Sequence, residues 1–516
     1  MAMRFLPVAA LLGAIVISSI PALAQVDPGV RGGLANTGGG LLQRGIAIPE
    51  PPVISPNETS GATIQQNELA SFIEGINRAG QLESTCQNCA DAEDGAPATG
   101  FGEVDPEFPQ SHTNSNGLGA RHNADQCLLC HGQPTLGGSG GFLPPNPGHK
   151  VQLPAENPLF RLVPNRFGKQ NIVPSFEEQF GPIREVRFKF NPDGTPDNSV
   201  HQLYTIRGIT TDPTIPDCAI TQPDFAAELA AGNIALRIPL QLFGLGLVDS
   251  IQDIEIRSEF ANTAAQRALL GINGRPNLSA NDNTITRFGW KAQNKSLVIF
   301  AGEAYNVEMG VTNEVFPQAT DEDPDCNGVN KPLPNDVLRT DTTDVNLAAF
   351  DNPLHILPDW MQFMLLMRFM DFPHPDPNPS ASARHGQVVF NSVGCSLCHT
   401  PQMQTAPVMN SPVLQDRPVN LFSDLLLHHM GPGLADGISQ GLAQGDEFRT
   451  SLLWGVGQRI FFLSDGRTSD LLEAIEDHAS PASLQYPASE ANGVIDQFNR
   501  LSVTDKQAVL DFLRSL

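Results

Sequence analysis

Two short motifs of cysteine and histidine carry the clearest chemistry in this chain of 516 residues. Both have the pattern C-x-x-C-H, in which two thiols stand three positions apart and a histidine follows directly. Thiols at this spacing can form thioethers with both vinyl groups of one porphyrin, and the histidine can then ligate its iron. The sequence therefore predicts two covalently bound c-type haems. Their attachment residues are Cys127, Cys130 and His131, and Cys395, Cys398 and His399.

An all-cysteine zinc site is the alternative use of these four thiols. The two cysteine pairs stand far apart in the sequence, and zinc does not require the histidine that follows each pair. The pattern therefore favours haem over zinc.

The sixth coordination position decides whether a haem only transfers electrons or also reacts with peroxide or oxygen. For the second haem, His478 is the leading candidate ligand, because Leu471, Ile475 and His478 share one face of a predicted helix. A buried core histidine is the alternative role for this residue. The competing ligands are His428, His429, Met403, Met409 and Met430.

The first haem has several candidate distal groups. Its candidate histidines are His112, His122, His149 and His201. His149 follows the first motif across a Gly/Pro-rich loop and is a candidate distal ligand or acid–base group. Trp290 is a candidate electron relay between the haems, and Glu308 is a candidate carboxylate that moves a proton between the oxygens of peroxide. A packed core tryptophan and a surface glutamate are the alternatives.

The N-terminus predicts export from the cytoplasm. Residues 1–24 have the parts of a signal peptide, with Arg4 before an apolar run and an Ala22-Leu-Ala24 cleavage site after it. The apolar run is too short for a comfortable membrane span, and no later segment predicts one. We therefore expect a periplasmic mature protein without a membrane span, a location that suits the attachment of c-type haem.

Four cysteines remain outside the haem motifs, and an even remainder in an exported protein favours disulfides. We expect a local bridge between Cys86 and Cys89 and a second bridge between Cys218 and Cys326. A redox-active Cys86/Cys89 pair is the alternative.

The charge of the chain bears on its partners. A net charge of −25 makes nucleic acid a poor partner and would attract a basic electron-donor protein, although an acidic surface also serves solubility alone. Asp321, Asp323 and Asp325 have the spacing that begins a calcium loop, but the sixth position is not glycine and Pro332 occupies the twelfth. This pattern favours a solvated acidic loop, and calcium stays a secondary cofactor candidate.

The chain is predicted to be mainly α-helical, with two cytochrome c-like haem domains. Residues 25–65 are rich in glycine and proline and are typical of a linker or an extended arm. We expect an N-terminal haem domain at 66–372, enlarged by loop and β-hairpin insertions, and a C-terminal cytochrome c domain at 380–516. The proline-rich segment at 373–379 would join them.

Local patterns indicate the elements that position these sites. The alternation at 184–190, the turn at 191–194 and a strand near 200–206 predict a hairpin-like insertion. Thr504 and Gln507 have the spacing of a helix capping box. An apolar helical stripe follows, formed by Val509, Phe512, Leu513 and Leu516. A second stripe of core-packing residues is formed by Trp360, Met364, Met367 and Met370.

Four longer stretches carry a resemblance to a known family. They are TITRFGWKAQNKSLVIFAGEAYNVEMGVTNE within 284–314, VGCSLCHTP at 393–401, SDLLLHHMGPGLADGISQG at 423–441 and DEFRTSLLWGVGQRIFFLSDGRTSDLLEAI at 446–475. With them the chain resembles the di-haem oxidoreductase, putative peroxidase family over most of residues 115–516. It is more distantly similar to bacterial di-haem cytochrome c peroxidases and to the di-haem enzyme that completes the tryptophan-derived quinone of methylamine dehydrogenase.

The resemblance implies roles for particular residues. The N-terminal haem would react with peroxide and the C-terminal haem would transfer electrons, with Trp290 as the relay between them and Glu308 as the distal acid–base residue. His478 falls near the position that supplies the second axial ligand, which implies a bis-histidine second haem. Ser464 stands where relatives usually carry histidine, and a large insert at 150–285 separates this chain from them.

Three functions are consistent with these features. The first is reduction of hydrogen peroxide with electrons from a small redox protein. The second is electron transfer alone, with both irons six-coordinate, and the third is oxidation of a partner protein by long-range electron transfer. An open distal position on the first haem would separate an enzyme from an electron carrier.

Overall fold

The computed structural model describes most of the chain between its N-terminal arm and its last residue. The described residues are 25–31, 38–42, 64–80, 119, 121–124, 127–140, 171–205, 221–318, 357–407, 411 and 413–516. The predicted signal peptide at 1–24 lies outside them. So do several residues named above, which are Cys86, Cys89, His112, His149, Cys218, Asp321, Asp323, Asp325, Cys326 and Met409.

Helices dominate the described residues and the sheets are small. The helices are α1 Ile64–Ala79, α2 Cys127–Cys130, α3 Phe225–Ala230, α4 Leu245–Asp249, α5 Asp253–Asn262, α6 Ala264–Leu270, α7 Leu297–Met309, α8 Asp359–Phe369, α9 Ala381–Ser392, α10 Gly431–Leu434, α11 Leu471–Glu476, α12 Asn492–Asn499 and α13 Val503–Ser515. The strands are β1 Arg121–His122, β2 Glu185–Phe188, β3 Tyr204–Thr205, β4 Ile234–Arg237, β5 Asn277–Leu278, β6 Ile285–Thr286, β7 Met403–Gln404, β8 Pro418–Val419, β9 Leu427–His429 and β10 Glu447–Arg449.

Every sheet in this part of the chain has two antiparallel strands, and the pairings partly correct the predicted hairpin. The chain does turn at Asn191–Gly194, and the returning segment pairs with 187–190 through two antiparallel bridges, Phe190 with Pro196 and Arg187 with Val200. The main partner of β2, however, is β4, and β3 pairs with β1 near the first haem motif. Strands of two to four residues carry too little local pattern to specify which distant segment they join.

The largest core combines residues from both sides of the 373–379 segment. Helices α1, α7 and α8 pack together, and buried side chains of 413–426 and 452–454 join the same cluster. Trp360, Met367 and Met370 are buried in it, which confirms the predicted core role of the methionine stripe. Gly75 lets α1 approach α8, because a Cβ atom there would lie 2.7 Å from Cβ of Leu366. The 373–379 segment itself contains neither helix nor strand.

A second core joins α9 and α13, the helices on either side of the second haem motif in sequence. The predicted stripe on α13 is buried, and Phe390 of α9 packs edge-on against Phe512 at 5.4 Å. The predicted cap is wrong by two residues. Ser502 caps α13, since its side chain accepts a hydrogen bond from the backbone N–H of Asp505. Gln507 instead holds the backbone of Val26.

The described parts of the N-terminal arm are extended and lie against the body of the protein. Asp27 forms a 2.5 Å ion pair with Arg514 of α13 and accepts a hydrogen bond from the backbone N–H of Leu471. Leu42 is buried in the largest core. Across the described residues, none of the helices has the length and apolar character needed to cross a membrane.

Close packing of α9 on α13 generates a stability prediction. A Cβ atom on Gly386 would lie 1.8 Å from the carbonyl oxygen of Ala508, so the helices would have to separate. We expect Gly386→Ala to lower the free energy of unfolding by about 1–3 kcal/mol, although alanine ordinarily favours a helix over glycine. Urea unfolding of the haem-loaded protein measures this change.

Gly40→Ala is the matched control, because its added Cβ atom would have nothing within 4 Å. Equal unfolding midpoints for Gly386→Ala and wild type would contradict the close approach of the two helices.

Candidate functional site

The first motif folds so that its histidine ring is fixed. The motif cysteines begin and end α2, and the backbone N–H of His131 donates to the carbonyl of Cys127 at 3.1 Å. Nδ1 of His131 lies 3.3 Å from the carbonyl oxygen of Gly138 and therefore carries the proton. Burial lowers the pKa of His131 to about 4. The ring is neutral and its Nε2 lone pair is available to a metal.

The second motif repeats this arrangement in another part of the fold. Its cysteines frame a 3₁₀ turn, and the backbone N–H of His399 donates to the carbonyl of Cys395 at 2.9 Å. Nδ1 of His399 donates to the carbonyl of Phe422 at 3.0 Å. Burial, together with nearby His478, lowers the pKa of His399 to about 4. Both motifs therefore present a neutral imidazole beside two thiols.

Each motif opens into its own apolar cavity. The first cavity, of about 160 Å³, is lined by Cys127, Cys130 and His131 and by side chains of α7 and α8. The second, of about 220 Å³, is lined by Cys395, Cys398 and His399 and by side chains of α9, α11, α12 and α13. A third space of about 20 Å³ lies between them and shares lining residues with both. Two thiols, one imidazole and a mostly apolar wall are the surroundings that a haem requires.

Trp290 lines both large cavities, and among the described lining residues it alone does so. A tight loop holds it, in which Phe288 and Asn294 pair across the turn. Gly289 adopts a φ of +87°, a left-handed conformation that favours glycine. The indole Nε1 donates to the carbonyl of Ile238 at 2.9 Å. The side chain of Trp290 is thus held in a fixed position between the two motifs.

His478 lies in the second cavity with His399. It follows the end of α11, and its Nδ1 atom donates to the carbonyl of Ala474 at 2.7 Å. Burial lowers the pKa of His478. Its ring is therefore neutral, with Nε2 free, which is the state that a second axial ligand requires.

The competing ligands of the second haem lie in different surroundings. His428 is held between the carboxylates of Asp424 and Glu490 at 2.9 and 2.7 Å, and His429 is held by Asp446 at 2.9 Å. Met430 lines the second cavity, whereas Met403 is buried in the largest core. Burial opposes a charge on His428, but the neighbouring Cys398 and the carboxylate of Asp424 raise the pKa of His428 well above the usual 6.5. A protonated imidazole has no lone pair to give a metal.

Glu308 lies in the first cavity, together with polar residues that the sequence did not reveal. Asn123 donates to Oε2 of Glu308 at 2.7 Å, and Glu185 of β2 is hydrogen-bonded to the same carboxyl group. Nε of Arg187 donates to Oε1 of Glu185 at 2.5 Å. Burial and the neighbouring Glu185 raise the pKa of Glu308 to about 8. Charged residues at alternate positions of a strand were the available signal for Glu185 and Arg187.

The candidate distal histidines that the structure describes do not line the first cavity. His122 lies in β1, where its ring is tilted against Tyr204 with centroids 6.0 Å apart. His201 stacks on Phe188 at 3.6 Å and contacts Asp197 through Nε2 at 2.8 Å. Among the described residues, the polar lining of this cavity besides His131 is therefore carboxyl, amide and guanidinium rather than imidazole.

A buried arginine tests whether a haem fits the second cavity. Arg459 lines that cavity and the small space beside it. Its Nε and Nη2 atoms are buried without a hydrogen-bond partner among the described residues, and burial lowers the pKa of Arg459 to about 10. An unpaired buried charge is strongly destabilising unless an anion reaches it. A haem carries two propionate carboxylates, so these residues fit the group that the motif predicts.

Comparison with known proteins gives one extended match in sequence and distant matches in structure. The family model for "di-haem oxidoreductase, putative peroxidase" matches residues 228–516. No curated protein is detectably similar in sequence. Hydrazine synthase of Kuenenia stuttgartiensis aligns with a TM-score of 0.19 and 17% sequence identity. The alignment covers 32% of the present chain and 56% of the hydrazine synthase chain. The present chain therefore spans little more than half the length of that protein. A MauG-like protein associated with microbial copper homeostasis aligns with a TM-score of 0.26 and 14% sequence identity. The alignment covers 60% of the present chain and 95% of the MauG-like chain.

The raised pKa of Glu308 predicts a pH-dependent stability. Because the pKa of about 8 in the folded protein lies above the ordinary value of about 4.3, the folded state binds more protons than the unfolded chain between these values. This group therefore makes the free energy of unfolding fall as pH rises through that window. Glu308→Gln removes the fall, so from pH 5 to pH 8 the variant should gain up to about 4 kcal/mol relative to wild type.

Urea unfolding at several pH values measures this difference. Glu178→Gln is the control, because it removes the same charge from an exposed position. Parallel pH profiles for wild type and Glu308→Gln would contradict a buried, protonated Glu308.

Proposed function

The chain belongs to the di-haem oxidoreductase, putative peroxidase family, and we propose on this premise that it is an exported enzyme that reduces hydrogen peroxide. The reaction is H₂O₂ + 2 e⁻ + 2 H⁺ → 2 H₂O, with the electrons supplied by a small redox protein. One observation carries the proposal, which is the presence of an acid–base group with a raised pKa, Glu308, in the cavity of the first C-x-x-C-H motif.

The proposal includes two covalently attached c-type haems in two cytochrome c-like domains. Cys127 and Cys130 would attach the first and Cys395 and Cys398 the second, while His131 and His399 would ligate the irons through Nε2. When bound, haem supplies an iron that exchanges single electrons and that reduces peroxide where an axial position is open. The neutral state of both histidines supports this assignment.

Glu308 is proposed to move a proton between the two oxygens of peroxide. A group that both takes and gives a proton works best when its pKa lies near the working pH. The pKa of Glu308, raised to about 8 by burial and by Glu185, meets this condition. The amide of Asn123 holds the carboxyl group in place through Oε2.

The second cavity is proposed as the entry point for electrons. His478 offers a neutral imidazole there, and two histidine ligands make an iron that transfers electrons without binding substrate. Trp290 would shorten the path for electrons between the two cavities, because its indole lines both. The net charge of −25 suits a basic electron donor.

Covalent attachment predicts the number of haems in cysteine variants. Wild type should carry two haems that survive denaturation, whereas Cys127→Ala/Cys130→Ala and Cys395→Ala/Cys398→Ala should each carry one. Haem content per chain, measured by mass spectrometry and by the alkaline pyridine spectrum, checks this result. Two covalent haems in either double variant would contradict the assignment.

Peroxide turnover tests the proposed function directly. The haem-loaded protein, supplied with a reduced small cytochrome, should consume hydrogen peroxide, and Glu308→Gln should lower this rate about 100-fold or more. Electron entry from the donor should be unchanged in the variant, because Glu308 does not line the second cavity.

Glu178→Gln again serves as the charge-matched control and should turn over peroxide at the wild-type rate. EPR of the oxidised and one-electron-reduced protein completes the test. Two low-spin irons in both states, with no peroxide turnover, would overturn the proposal and leave an electron carrier.

A further inference from the structure

The first cavity contains a second carboxyl group whose contacts tie it to Glu308. Glu185 begins β2, a strand that lies outside the residues matched by the family model. Its side chain is hydrogen-bonded to Glu308, and 20% of that side chain is exposed. The two residues are far apart in sequence and meet because β2 and the end of α7 both line this cavity.

The hydrogen bonds assign the proton between these two carboxyl groups. Oε2 of Glu308 accepts a hydrogen bond from Asn123, and Oε1 of Glu185 accepts one from Arg187. Two carboxylates cannot be hydrogen-bonded to each other unless one of them carries a proton. Arg187 stabilises the negative charge on Glu185, so Glu308 is the protonated partner and donates to Glu185.

The position of Arg187 is itself fixed. Its Nη1 atom donates to the carbonyl of Asn198 at 2.9 Å, and its guanidinium is buried. Burial opposes its charge, but the carboxylates of Glu185 and Glu303 raise the pKa of Arg187 above its ordinary value. The charged and titratable groups that surround the pair are Arg184, Arg187, Arg237, Glu303 and His131, and Asp436 pairs with Arg237.

The contact between Glu185 and Glu308 matters for proton transfer, because Glu308 alone would be a poor proton acceptor. At neutral pH most copies of Glu308 are already protonated, and a protonated carboxyl group has no place for the proton that peroxide must release. We propose that Glu185 is a relay residue, which takes the proton of Glu308 across their hydrogen bond as Glu308 accepts the proton of peroxide, and then returns it. The two carboxyl groups together gain one proton from the first oxygen of peroxide and give one proton to the second oxygen, so their proton count is unchanged at the end. The inference deepens the proposed function and rests on it.

The relay predicts a distinctive pH profile for Glu185→Gln. Without the neighbouring carboxylate, the titration midpoint of Glu308 should fall by about one pH unit. At pH 6 peroxide turnover should fall about tenfold, because an isolated Glu308 is then mostly protonated and has no partner to take its proton. Turnover should recover towards pH 8, where Glu308 ionises and accepts the proton unaided. Wild type should change far less over this range.

Two further variants separate a relay from a structural role. Glu185→Asp keeps a carboxylate and should restore turnover at pH 6, whereas Glu178→Gln removes an exposed charge from the same region and should leave the profile unchanged. A pH profile for Glu185→Gln that is parallel to wild type, or equal losses in Glu185→Asp and Glu185→Gln, would overturn the relay.

Infrared titration keeps this test independent of the proposed function. The carboxyl band of Glu308 is identified in the haem-loaded protein by its loss in Glu308→Gln, and its midpoint is then compared in wild type and Glu185→Gln. An unchanged midpoint would refute the coupling whatever the protein turns over. A shifted midpoint without peroxide turnover in wild type would refute the proposed function and leave the coupled pair standing.

Discussion

The structure depends on one side chain, Trp290, that lines both of the large cavities. The loop that carries it is closed by the pairing of Phe288 with Asn294, and its indole is anchored to the backbone of Ile238. On the far side, the backbone N–H of Arg449 donates to the carbonyl of Trp290 at 2.9 Å. Because one side chain lines both cavities, a haem in each cavity would lie close to the other and still keep its own surroundings.

Two arginines of the second cavity indicate that a negatively charged group binds there. Arg449 and Arg459 both line the second cavity, and burial lowers the pKa of each to about 10. Arg449 uses two of its nitrogens on backbone carbonyls, but Arg459 leaves two buried nitrogens without a partner among the described residues. A buried arginine without a partner destabilises the protein, whereas a carboxylate beside the arginine offsets this cost. The cost of burying Arg459 is therefore an independent argument for an anionic group at this place.

Local patterns predicted the parts of the site that depend on short segments. The haem motifs and the stripe around Leu513 both follow from spacing within one helix or turn. Glu185 could not be found in this way, because its meeting with Glu308 depends on how β2 and α7 are brought together around one cavity. The cap at Ser502 was missed for a different reason, since Ser502 and Thr504 both have an acidic or amide side chain three residues later.

The two cavities differ in the polar groups that face them, and this difference accounts for a division of labour. In the second cavity the neutral ring of His478 stands ready as a ligand, while His428 is withheld by two carboxylates. In the first cavity the described polar groups include Glu308 and its partners, and a carboxyl group is a poor ligand when it is protonated. A fold that repeats the same C-x-x-C-H turn twice can therefore specialise each copy through residues far from the motif. Under the proposed function, the imidazole of His478 would ligate the second haem, whereas Glu308 would leave the first haem accessible to a small substrate.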